Sequence, residues 1–275
     1  MEKVETAQDG SLDDFEELSL TFDGIGKRVW RSGSGPAVIV MAEMPGITPH
    51  VLRFARWVRD AGMTVWLPSL FGTDGAEPTA EHGANVFRRA CVSAEFRALG
   101  GGGTSSPVTQ WLMALARHAF EECGGAGVGT VGMCFTGNFA LTMMLEPTVL
   151  APVLCQPALP LDNPAGLEIS ADELSQIKER LDREGRKVMA YRFKGDAFCR
   201  AERFAAYAAA LGDGFVEHVL PDEAANKEPP SFYAVHVPTP HSVVTAHLID
   251  GEGQPTIRAR DEIIDFLKRA CTDDS

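Results

Sequence analysis

Gly132-Met133-Cys134-Phe135-Thr136-Gly137 places a thiol between glycines at the end of an apolar stretch. GVGTVGM (127–133) reads as a buried strand, and Phe139 to Leu145 as an apolar helix directly behind it. A side chain at such a strand–turn–helix junction projects from the sheet edge. Small residues must flank it, because the strand and helix backbones approach closely there. The start of a helix also favours thiolate, the form that attacks a carbonyl carbon. The plainer alternative is a structural cysteine, a residue type that is often buried.

A thiol nucleophile needs a proton partner, and the partner needs an orienting group. The strand Tyr191–Phe193 runs into Lys194-Gly195-Asp196, an acid at a strand end, and His241 follows in the loop TPHS. Nucleophile, acid, histidine in that chain order is the order of a hydrolytic triad on a parallel sheet. His236, five residues earlier, competes for the role of base.

These residues require a particular frame. Leu18, Leu20 and Phe22 alternate with polar residues, and Asp23-Gly24 offers a hairpin turn toward 27–31. AVIVMA (37–42), TVWLP (64–68), 127–133, 150–155, 187–193 and 215–220 read as short buried strands. Helices are expected near 51–61, 86–99, 108–122, 171–184, 200–211 and 256–270. Strands alternating with helices predict an α/β fold, a mostly parallel sheet covered by helices on both faces. Ligands of such sheets bind at the carboxyl edge, where Cys134, Asp196 and His241 all fall. The proline-rich stretch 221–240 has no clear period and is expected to be a loop or lid within a single domain spanning 18–275.

The 275 residues carry a net charge of −13, which argues against nucleic acid and anionic membrane as main partners. Residues 1–17 hold seven acids and one lysine and read as a solvated, flexible arm. No apolar run is long enough to span a membrane, and the acidic start lacks the apolar stretch of a secretory signal. Six cysteines with no CxxC pair fit free thiols in a reducing cytoplasm. No Walker A, GxGxxG or HExxH motif is present, and no metal or organic cofactor is expected. A monomer or small homo-oligomer is the expected state.

AVIVMAEMPGI, RFARWVRDAG, MTVWLPSLFG, GMCFTG, KGDAF and PHS together resemble the dienelactone hydrolase family of α/β-hydrolases, from about Ala37 onward less the loops. The resemblance implies an α/β-hydrolase fold, with Cys134 as nucleophile, Asp196 as triad acid and His241 as base. It also implies that Glu43, in AEMPG, assists thiol deprotonation, and that the N–H groups of Phe135 and Met44 form an oxyanion hole. Three positions depart from the family pattern. Thr136 stands where a glycine is usual, and the 221–240 loop is enlarged. Four residues after the histidine, where an arginine grips the substrate carboxylate in dienelactone-specific members, this chain has Thr245. Arg88, Arg89 and Arg97 are the candidates to replace that grip, against the alternative of a solvated helix face.

The expected activity is therefore hydrolysis of a small-molecule lactone or activated ester by a Cys–His–Asp triad. Two other classes compete. One is a non-catalytic or redox-sensing protein on the same fold, with Cys134 reversibly oxidised. The other is a class I amidotransferase-like thiol enzyme, which should carry His-x-Glu, whereas Ser242 and Val243 follow His241.

Overall fold

The computed structural model describes residues 10–272. They form one eight-stranded sheet flanked by helices. The strands are β1 (Glu16–Phe22), β2 (Ile25–Gly33), β3 (Ala37–Met41), β4 (Thr64–Pro68), β5 (Val128–Met133), β6 (Val149–Cys155), β7 (Val188–Phe193) and β8 (Phe215–Leu220). Their spatial order is β1-β2-β4-β3-β5-β6-β7-β8. β1, β2 and β4 pair antiparallel, and every pairing from β4 to β8 is parallel. After β3 the chain moves first to β4 on one side and later to β5 on the other. That reversal opens a crevice at the carboxyl ends of β3 and β5.

The helices are α1 (Pro49–Asp60), α2 (Ala80–Val92), α3 (Val108–Cys123), α4 (Phe139–Thr142), α5 (Ala171–Glu184), α6 (Ala201–Leu211), α7 (Ser231–His236) and α8 (Pro255–Cys271). Strand periodicity sorts the core into two layers. Ile39 and Met41 of β3 belong to the apolar layer that also holds residues of α3, α5 and α6, whereas Val38 and Val40 belong to the layer with residues of α1 and α8. All five β3 residues are buried, as a strand covered on both faces must be. α1 shows the local logic of a helix start. Pro49 opens it, and the Thr48 hydroxyl accepts the Val51 N–H at 3.4 Å. Among the described residues no helix is long and apolar enough to cross a membrane.

Four segments differ from the sequence expectations. Residues 1–9 of the expected arm lie outside the described residues, but Gly10–Glu17 are not a solvated arm. Asp14 accepts hydrogen bonds from Arg56 and Arg59 of α1, which hold its carboxyl at about 2, and Phe15 is buried under the Arg56 guanidinium. Glu16 and Glu17 already belong to β1. The helix expected over 86–99 is α2, which starts at Ala80 and stops at Val92. Beyond it the Ser93 hydroxyl accepts the Glu95 N–H, a local turn that competes with helix. The apolar helix expected over Phe139–Leu145 is the single-turn α4 followed by one 3-10 turn, Met143–Leu145, with the Thr142 hydroxyl facing the Asn138 carbonyl. Finally, 221–240 is not wholly irregular: it contains a 3-10 turn at Asp222–Ala224 and the helix α7.

α7 docks on α2 through a notch. Gly83 lies mid-helix, where glycine costs about 1 kcal/mol relative to alanine. A Cβ at Gly83 would meet the Phe232 ring at 2.1 Å, so only glycine lets that ring lie across α2. The Ser231 hydroxyl accepts the Ala80 N–H, and His236 Nε2 meets the Ala80 carbonyl at 3.0 Å, completing the seam.

Candidate active site

Cys134 follows β5 directly, with φ at +54°, and is half-buried. The flanking glycines are sterically required. A Cβ on Gly132 would lie 2.3 Å from the Thr136 carbonyl oxygen, and one on Gly137 would lie 2.5 Å from Pro157 Cα. Thr136 does not disturb this turn. Its buried hydroxyl accepts the Met133 N–H at 2.9 Å and faces the Met41 carbonyl at 3.0 Å, tying the elbow to the end of β3.

Asp196 lies three residues past β7. Its Oδ1 accepts the N–H groups of Phe198 and Cys199 at 2.9 and 3.0 Å, which fixes the carboxylate. Its Oδ2 meets His241 Nδ1 at 2.7 Å, with both side chains buried. Burial disfavours the imidazolium, yet the adjacent Asp196 carboxylate and Cys134 hold His241 well above the ordinary histidine range. The other ring nitrogen, Nε2, is buried and has no hydrogen-bond partner. His236, the competing base, is exposed, and its Nε2 is committed to the Ala80 carbonyl.

Glu43 lies two residues past β3, fully buried. Burial raises its carboxyl, although hydrogen bonds from Ser242, Thr245 and Tyr233 and the charge of His241 favour the ionised form. Ser242 donates to Oε2 at 2.6 Å and Gln156 Nε2 approaches the same oxygen at 3.3 Å. Thr245 and Tyr233 donate to Oε1, the Tyr233 hydroxyl lying 3.0 Å from both Oε1 and the Met44 carbonyl. Thr245 therefore does not face substrate; it is fully buried and holds Glu43. His247 supports the same loop by accepting the Ser242 N–H at 3.1 Å, and burial keeps its imidazole down at about 4. Among the described residues, no turn or loop hydrogen bond uses the N–H of Met44 or Phe135.

A cavity of about 270 Å³ opens over Cys134, Glu43 and His241, roofed by α2 and α7. Of the three arginines considered as a carboxylate grip, only Arg88 reaches it. Arg89 lines a separate groove beside Phe71 and Glu95, and Arg97 lies by the glycine loop 100–103; all three are exposed. Sequence reasoning missed Tyr233, Ser242, Gln156 and His247. Ser242 directly follows His241, and Gln156 closes β6 at the same sheet edge, so both sat where a signal existed; Tyr233 had none, lying within the irregular stretch.

A sequence model of the dienelactone hydrolase family matches residues 25–179, more than half of the chain and a stretch that includes Glu43 and Cys134. The chain belongs to that family. No curated protein matches its sequence. The fold of this dienelactone hydrolase family member is similar to several solved structures. One is a putative dienelactone hydrolase from Klebsiella pneumoniae subsp. pneumoniae, at 14% identity and TM-score 0.57, covering 93% of this chain and 98% of the other. Another is a dienelactone hydrolase-like promiscuous phosphotriesterase from metagenomic libraries, at 16% identity and TM-score 0.60, covering 94% and 98%. A third is the dienelactone hydrolase of Anabaena variabilis, at 12% identity and TM-score 0.54, covering 94% and 99%.

Behind the elbow this family member buries a further carboxyl. Glu168 accepts the Ser106 N–H and faces Asn138 Nδ2 at 3.3 Å; Asn138 in turn accepts the Tyr207 hydroxyl at 2.6 Å. Burial pushes the Glu168 carboxyl up from 4.5 to about 8. The folded chain thus holds this proton more tightly than the unfolded chain. The resulting stabilisation is complete below about pH 4.5 and is lost as pH rises through about 8. The Tm should fall between about pH 5 and pH 8 and level off above that, and Glu168→Gln should flatten that fall. Thermal melts of both proteins across the range check this; parallel curves would show that Glu168 is not the group responsible.

Proposed function

We propose that this chain hydrolyses a small ester or lactone through Cys134, with His241 as proton carrier and Asp196 as its orienting acid. The observation that carries this reading is the 2.7 Å His241–Asp196 pair beside the Cys134 elbow, with Nε2 left unpartnered. Cys134 passes its proton to His241, aided by Glu43, and the thiolate attacks the ester carbon. A C–S bond forms, and the oxyanion rests on the Met44 and Phe135 N–H groups. The tetrahedral intermediate collapses, the C–O bond breaks, and His241 gives its proton to the departing alkoxide. Water then attacks the thioester and yields a proton to His241. The thiolate leaves and the acid is released. The reading needs a reduced thiol and no metal or organic cofactor, and all six cysteines are free.

Mixing the protein with p-nitrophenyl acetate should give a burst of p-nitrophenolate, and mass spectrometry should find one acetyl group on the peptide containing Cys134. Alkylating Cys134 beforehand should remove both signals. Turnover that survives complete alkylation of Cys134 overturns the reading and returns the thiol to a structural or redox role.

A further inference from the structure

We infer that the substrate is an uncharged ester whose apolar part fills the cavity beneath α2 and α7, rather than a carboxylate-bearing lactone. This rests on the hydrolytic reading above and adds the chemical class of the substrate. Three features support it.

The first is the wall. Met44, Phe135, Ala158, Leu161, Phe198 and Phe232 surround the space over Cys134. The wall is pre-formed: Phe71 and Phe96 stand edge-on to the Phe135 ring at centroid distances of 5.8 and 5.3 Å. At about 270 Å³ the cavity is slightly below the usual range of small-molecule pockets, so a bound substrate must shed most of its water.

The second is the position that could have met a carboxylate. Thr245 is neutral, fully buried behind Glu43 and does not line the cavity. An arginine gripping the substrate from there is absent, and the residue that does line the cavity at that side, Glu43, is itself a carboxyl.

The third is the placement of the remaining positive groups. His241 is paired with Asp196, so its charge is already balanced. Arg88 of α2 and His236 of α7 border the cavity but are exposed. Arg88 donates to the Ala84 carbonyl at 3.3 Å and to Asn85 Oδ1 at 2.6 Å, while His236 is engaged by the Ala80 carbonyl. A carboxylate carried into the cavity therefore loses hydration without gaining a buried partner, which is costly; an alkyl or aryl group gains by the same transfer.

The test compares p-nitrophenyl pentanoate with mono-p-nitrophenyl glutarate. They share leaving group and chain length and differ in a terminal methyl against a carboxylate. For the wild-type protein, kcat/KM should favour the pentanoate by at least roughly thirty-fold. Equal or faster turnover of the glutarate overturns the neutral-substrate inference and leaves the hydrolytic reading standing. Binding of the same two esters to Cys134→Ala, followed by calorimetry, separates the two failures. If the wild type turns over neither ester, the hydrolytic reading falls, and the binding preference alone decides the ligand class: tighter pentanoate supports it, equal or tighter glutarate overturns it.

Discussion

Cys134→Ala abolishes turnover of p-nitrophenyl acetate, lowering kcat by about 10⁴-fold or more, while Cys91→Ala and Cys155→Ala stay near wild type. The contrast follows from where each thiol lies. Cys155 is fully buried in β6, and burial pushes its thiol far up, out of reach of deprotonation. Burial also raises Cys91, which lies on α2 outside the cavity lining. Cys134 alone among the three opens onto the cavity and stands beside His241. Cys134→Ser should retain weak esterase activity at best, because a hydroxyl needs a stronger base than a thiol does. Steady-state rates on purified variants of confirmed fold decide the matter. Full activity in Cys134→Ala removes the triad.

His241→Ala lowers kcat/KM by about 10³-fold, whereas His236→Ala costs less than about ten-fold. Only His241 has one ring nitrogen anchored on a buried carboxylate and the other unpartnered toward the cavity. His236 spends Nε2 on the Ala80 carbonyl, so its loss loosens the α7–α2 seam without removing a proton carrier. Asp196→Asn should approach the His241→Ala loss, since the amide no longer holds the imidazole in the required tautomer. Activity that survives in His241→Ala but not in His236→Ala transfers the base to α7.

Much of this arrangement could be read without coordinates, for identifiable reasons. AVIVM and TVWLP are buried on both faces, and uninterrupted apolar runs are how such strands look in sequence. Gly132 and Gly137 were informative because backbone contacts within a few residues demand them. Asp196 and His241 could be paired in advance because strand ends converge on one sheet edge, where the structure brings the two side chains together. What escaped depends on partners far along the chain. Asp14 looks like part of a solvated acidic run until Arg56 and Arg59, more than forty residues away, are brought onto it. Thr245 resembles a lost substrate contact until Glu43 meets it from 202 residues away. Tyr233 is invisible as a donor to Glu43 because α7 forms only where Gly83 leaves room for Phe232.

In the mechanism proposed above, the positive φ of Cys134 sets fold stability against activity. Holding a residue with a Cβ in the left-handed region costs on the order of 1–3 kcal/mol, a noticeable fraction of what keeps a domain folded. Glycine would be relieved of that cost, so a screen for thermal tolerance alone would be drawn toward Cys134→Gly and would discard the thiol. With Cys134 as the proposed nucleophile, selection for turnover and selection for heat resistance pull in opposite directions at this one residue. Stabilising the family member without silencing it means working elsewhere, on sites such as the exposed helix faces, and leaving the elbow strained.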